Sequence, residues 1–284
     1  MRTLLTTPRR AASLGLMLLP MLAPGAVAGQ EGTPPSPAAP ASPPSSAAVR
    51  ALPVPALPFA QGERITYRAT VAKVGRVGRG SMWVEGPADV RGTAAYVLRF
   101  DFRSRVGPVG VVNTSESWLD PVRMASLRFH KHERHPLSKH DERVELYPER
   151  RRWVAESGDS AESPTDAPLD ELSFMYFIRT LRLPDDTTYR FERHFDAARN
   201  PTTVRVVRRE TVSTPCGEFW TVLVEMRVRD GRRYRGEGVI RINFTDDAAR
   251  LPVRIQTTVP VFGAAVLTME SHKVPTSAVV AHAP

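Results

Sequence analysis

In the segment Trp220-Thr221-Val222-Leu223-Val224-Glu225-Met226-Arg227-Val228-Arg229, apolar side chains take every second position: Trp220, Val222, Val224, Met226 and Val228. Thr221, Glu225, Arg227 and Arg229 stand between them. Successive side chains of a strand point to opposite faces, so this period of two predicts a strand with one apolar and one charged side. The same alternation appears in Ile65, Tyr67, Ala69 and Val71, in Tyr96, Leu98, Phe100 and Phe102, and in Ile240, Ile242 and Phe244. Turn residues at Gly75, Gly86-Pro87, Gly107-Pro108, Asp120-Pro121, Asp230-Gly231 and Phe262-Gly263 separate these runs, which predicts hairpins in a meander of ten or eleven strands. One stretch departs from the pattern. From Pro168 to Leu181, the residues Leu169, Leu172, Met175, Tyr176, Ile178 and Leu181 recur at helical spacing, with proline in the first turn and acids after it. The expected architecture is mainly β: a single large antiparallel, strongly curved sheet forming a half-barrel, with one main α-helix packed on its apolar face.

Upstream, Arg2, Arg9 and Arg10 precede the apolar run Leu14–Leu19, and Ala26-Val27-Ala28 supplies small residues at both positions of a cleavage site. Residues 1–28 therefore read as a signal peptide cut after Ala28, because the apolar run falls short of the ~18 residues that span a bilayer. Residues 29–58 are rich in Pro, Ala and Ser and read as a disordered tether, residues 59–275 as the β-rich domain, and 276–284 as a disordered tail. No other stretch is long and apolar enough to span a membrane, so the expected location is the periplasm, in soluble form. The 284 residues are 42% hydrophobic, enough for one substantial core. With the three signal arginines set aside, 36 basic residues face 30 acidic ones, a net +6. Basic residues are scattered beside glutamates rather than clustered, which argues against nucleic-acid binding and leaves anionic lipid or polysaccharide open. Cys216 is the single cysteine, so no intrachain disulfide can form.

Four motifs in order carry a resemblance. They are Gly62-Glu63 with Tyr67, the run Asp170-Glu171-Leu172-Ser173-Phe174-Met175-Tyr176-Phe177-Ile178-Arg179, the hairpin from Glu210 through Thr214-Pro215 and Gly217 to Phe219, and Asp247 with Arg250-Leu251-Pro252-Val253. Residues 59 to 274 thereby resemble the exported bacterial family known as domain of unknown function 3108. That family is similar in outline to the LolA and LolB periplasmic lipoprotein carriers, which implies a curved sheet closed by helices around an apolar cavity. Fold likeness does not assign chemistry.

Candidate chemistry is sparse. His130 and His132 would share one face of a strand, a geometry that a zinc clamp needs, but Lys131, Arg134 and Lys139 raise the local positive charge and no metal-ligand spacing is present. The stretch from Phe129 to Asp141 reads instead as a solvated polar strand end. No nucleophile elbow, cysteine-histidine pair or phosphate loop occurs, so no catalytic residue and no cofactor is expected. On the helix, Phe174, Met175, Tyr176 and Phe177 crowd aromatic and adaptable side chains together, with Tyr176 and Arg179 as polar handles at a cavity mouth. These five residues are the candidate ligand-binding set. Three functions are consistent with these features: non-enzymatic binding of a lipid-like or extended apolar ligand in the cell envelope, a structural interaction module holding an envelope component, and a metal-dependent enzyme. The sequence carries no signal for oligomeric state.

Overall fold

The computed structural model describes residues 56–106, 108–136, 138–229, 237–259, 263–273 and 275. The expected signal segment with Ala26 and Ala28, the expected tether up to residue 55, the expected 276–284 tail and the expected turn at Asp230-Gly231 lie outside the described residues.

From the first described strand the chain builds outward by hairpins: β1 (Arg64–Val71), β2 (Gly75–Val90), β3 (Thr93–Val106), β4 (Val109–Asp120), β5 (Ala125–His135), β6 (Ser138–Tyr147), β7 (Arg152–Ala155) and β8 (Ser160–Glu162). The helix α1 (Glu171–Arg179) then crosses the interior. After it, β9 (Thr188–Phe191), β10 (Thr202–Thr214), β11 (Gly217–Arg229), β12 (Glu237–Thr245), β13 (Pro252–Val259) and β14 (Gly263–Lys273) walk back until β14 lies against β1. Among the described residues, these fourteen strands form one antiparallel sheet, open between β8 and β9. The count exceeds the expected ten or eleven because β7, β8 and β9 are only three or four residues long, too short to display a period. Ser160–Glu162 is exposed throughout and sits inside a polar stretch that reads as loop.

The helix is shorter than the expected Pro168–Leu181. Asp170 is its N-cap: one carboxylate oxygen accepts the backbone N–H groups of Leu172 and Ser173, each at 2.9 Å, while Ser173 Oγ accepts the Asp170 N–H at 2.9 Å. Pro168 and Leu169 instead lie extended. Ser126 N–H donates to the Pro168 carbonyl, and Leu169 pairs with His194 beyond β9. This short bridge ties β5 to the chain that leaves β9, and Trp153 on β7 meets Phe195 edge-on at 5.5 Å.

The interior therefore surrounds the helix, which is not simply laid over an open face. Leu172, Ser173, Phe174, Tyr176, Phe177, Ile178 and Arg179 are all buried, leaving only Glu171 and Met175 partly exposed. A helix apolar on all sides needs a partner on all sides, and one continuous cluster running from Phe59 through Ile65, Tyr67, Leu98 and Phe129 to Met269 supplies it. Each fully enclosed large side chain, such as Ile178, contributes ~1.5–3 kcal/mol. Trp220, expected on the apolar side, is 57% exposed. Near the tip of the β10–β11 hairpin its neighbours Phe219 and Val212 pack on the core instead, leaving Trp220 on the outer side.

Candidate functional site

Three of the sequence motifs meet at the C-terminal end of α1. Arg179 donates from Nη1 to Glu63 Oε1 at 2.6 Å and from Nη2 to Glu63 Oε2 at 2.8 Å. The same Nη2 reaches the carbonyls of Pro58 at 2.8 Å and Ala249 at 2.9 Å. Both side chains are 1% exposed. Burial alone would lower the guanidinium's pKa, but the Glu63 carboxylate raises it overall and keeps Arg179 charged. Tyr67, from the first motif, donates its hydroxyl to the Pro252 carbonyl of the fourth motif at 2.9 Å. Phe59 closes the site against Tyr176 edge-on at 4.9 Å. Arg179 is therefore the centre of a buried lock that also borders a hollow, whereas Tyr176 is fully enclosed and is no handle at a cavity mouth. Burial pushes the Tyr176 phenol well up, and its hydroxyl has no hydrogen-bond partner among the described residues. Outside the lock lies a hollow of about 550 Å³ bordered by Leu57, Thr180, Leu181, Arg182, Asp247 and Arg250.

The N-terminal end of α1 is built differently. On the inner side of β5, Phe129 is followed by Lys131 and Glu133, only 4% and 2% exposed. This corrects the expectation of a solvated strand end: the outward positions belong to His130 and His132, and the charges between them face inward. Lys131 Nζ lies 2.6 Å from Glu171 Oε2 and 3.2 Å from Glu133 Oε1, and Arg199 Nη1 donates to Glu171 Oε1 at 2.8 Å. Glu171 stands in the first turn of the helix, where the macrodipole also favours an anion.

Beside this cluster runs a groove of about 120 Å³ walled by Phe174, Met175, Met226, Val228 and Ile240, with Glu171, His194 and Arg199 at its polar side. Its volume compares with the ~150 Å³ that encloses one benzene ring, so it holds a ring-sized or short-chain part of a ligand. Burial, followed by the charge of Arg199, pushes the His194 imidazole down to about 4, so it is neutral at pH 7. His194 Nδ1 accepts the Asp196 N–H at 3.1 Å, which places the proton on Nε2. That Nε2–H has no acceptor among the described residues.

The five candidate residues thus separate. Phe174 and Met175 border the groove, Tyr176 and Phe177 belong to the core, and Arg179 forms the lock. Phe177 meets Phe174 at 5.7 Å and Phe191 at 5.1 Å, with the Arg193 guanidinium 4.4 Å above its ring. His130 and His132 share the outer face, as expected, but each is engaged. His130 meets Trp118 edge-on at 4.9 Å, and burial, then Arg143 and Arg128, lower its pKa. His132 Nδ1 lies 2.5 Å from Asp141 Oδ1, and this contact, then Lys139, brings the carboxyl down to about 2. No cluster of three or more histidine, cysteine or acidic side chains among the described residues has metal-binding geometry. The sequence reading passed over Glu63, Lys131, His194 and Arg199 as site residues. The alternation through Phe129, Lys131 and Glu133 was the signal for Lys131, and nothing local marks His194.

Comparison with known proteins matches residues 64–270 to the family described as protein of unknown function (DUF3108). No curated protein matches. Among solved structures, the chain is similar to a β-barrel-like protein of the domain of unknown function DUF1849 from Brucella abortus, at 12% identity and a TM-score of 0.49, covering 75% of this chain and 98% of that one. It is also similar to a Bacteroides fragilis protein with a YmcC-like fold, at 14% identity and a TM-score of 0.29, covering 76% and 98%.

Proposed function

The chain belongs to the DUF3108 family, whose matched span takes in nearly the entire sheet, and from that premise we propose that it is an exported, periplasmic, non-enzymatic binding protein for a lipid-like or extended apolar ligand of the cell envelope. The observation that carries this reading is the groove beside α1. Its walls are aliphatic and aromatic, and Met175 and Met226 add side chains that adapt to varied apolar shapes. The bound segment would be short, with the remainder of the ligand passing out between the helix and β11–β12. The LolA-like comparison belongs to the same proposal, as does export through cleavage after Ala28, which predicts a mature N-terminus at Gly29.

Titration with the neutral fluorophore N-phenyl-1-naphthylamine tests it. The wild type should bind at one saturable class of sites, and Ile240→Trp, which fills the groove, should weaken uptake at least ~5-fold. One observation favours a second reading, an interaction module: a continuous cluster of side chains fills the interior apart from this groove. Unsaturable uptake, or equal uptake by both proteins, would leave only that second reading.

A further inference from the structure

The outer face of the sheet carries two rows of residues that cross its strands side by side, and they differ in charge. One row runs Arg64, Trp83, Arg99, Glu116, His130 and Arg143 from β1 to β6. Its cations are matched. Arg64 lies over the Trp83 ring at 4.5 Å, Arg99 bonds Glu85 at 2.7 Å and also Glu116, and Arg143 reaches Glu156 at 3.7 Å.

The second row runs Arg254, Thr268, Arg68, Arg79, Arg103, Val112, Arg134 and Lys139 across eight neighbouring strands, from β13 through β14 and β1 to β6. Six of its eight positions are basic, and Arg68, Arg79 and Arg103 are directly opposite one another in register. Like charges so placed destabilise a sheet. Within 4.0 Å the row meets three carboxylates: Glu270, shared by Arg68 and Arg79, then Asp101 and Asp141. Arg134 and Arg254 form no ion pair among the described residues. Arg79, Arg103 and Lys139 are 76%, 73% and 65% exposed. Beneath the β10–β11 hairpin, Arg68 and Arg254 also face an open cleft of about 640 Å³ with Ser213, Thr214 and Thr268.

We propose that this belt is a docking surface for an anionic lipid bilayer. Its basic residues on β1, β2, β3, β5 and β6 lie one to four positions from the strand ends Val71, Gly75, Val106, His135 and Ser138. At ~3.3 Å per residue that is ~3–13 Å, within about one and a half Debye lengths, so a sheet standing on this end brings these five basic residues within range of a charged plane. Guanidinium groups bind phosphate in two-pronged fashion, and each base near an anionic surface adds to the attraction. The belt is separate from the groove, so docking and ligand uptake succeed or fail independently.

The test is co-sedimentation of the full chain with vesicles of phosphatidylcholine alone or mixed with phosphatidylglycerol. The wild type should prefer phosphatidylglycerol, and Arg79→Glu with Arg103→Glu should lose at least ~10-fold in affinity for it. The control Arg190→Glu with Arg208→Glu changes net charge equally at exposed sites on β9 and β10, and should stay within ~2-fold. The basic N-terminal segment is common to all three proteins and cancels. If charge reversal disturbs the sheet, Arg79→Gln with Arg103→Gln should still lose ~3-fold. Equal losses in the belt and control variants, no preference for phosphatidylglycerol, or tighter binding to soluble polyphosphate than to vesicles would each overturn the proposal.

Discussion

At its C-terminal end α1 presents Arg179 to Glu63 and two backbone carbonyls, and at its N-terminal end it presents Glu171 to Lys131 and Arg199. Both ends bury charge, yet they do different things. The first joins segments 58–63, 179 and 249 through one ion pair whose two side chains are buried. The second leaves a partly open groove and an imidazole N–H without an acceptor. Buried ion pairs add little net stability over apolar residues of the same shape, but losing one partner is costly. The lock therefore holds strand to helix, whereas the groove end keeps room for something else.

The strongest way to break this contrast is at the lock. Glu63→Ala strands a buried guanidinium and should cost ~3–5 kcal/mol in urea unfolding, while Glu63→Leu combined with Arg179→Met should recover more than half of that loss. A cost below ~1 kcal/mol for Glu63→Ala would mean that the C-terminal end is no lock.

Acid should act on the other end. His194 is neutral when folded, with its pKa near 4, but titrates near 6.5 when unfolded, so the unfolded chain takes up the proton first. Stability from this group is complete above pH 6.5 and drains away as pH falls towards 4, by ~3 kcal/mol at most. Arg199 adds to the depression, while Glu171, Asp196 and Glu142 oppose it. In His194→Asn the side-chain oxygen can replace Nδ1 as acceptor for Asp196, and the variant should lose less stability than wild type between pH 7 and pH 4 by urea titration. Parallel losses would show that the imidazole is not held neutral.

The smallest effect sharpens the boundary of the groove. Met175 is only partly buried and borders space, so Met175→Ala should cost less than ~1.5 kcal/mol. A loss near ~3 kcal/mol would place Met175 in a filled core instead.

Much of this fold was legible before any coordinate. Ile65, Tyr67 and Ala69 alternate as they should, and the helical spacing from Leu172 to Ile178 stands out against it. What stayed hidden has physical reasons. Hydrophobic periodicity skips Lys131 and Glu133 because they are polar, although their positions continue the inward face of Phe129. Glu63 and Arg179 lie 116 residues apart, and their order in the motifs gives no sign that they touch. Trp220 misled in the opposite direction, being apolar by type and exposed by position.

The pairing of β1 with β14 has a consequence in time. Thr66 bonds Ser271 across 205 residues, so the first strand of the domain waits for the last before both its edges are satisfied. During synthesis the meander β1–β8 can grow by local hairpins, but the lock lacks Ala249 and the sheet lacks its central seam until the C-terminal strands have emerged. Topologies dominated by such distant contacts fold slowly. The nascent chain thus stays unfinished for nearly the whole of its synthesis.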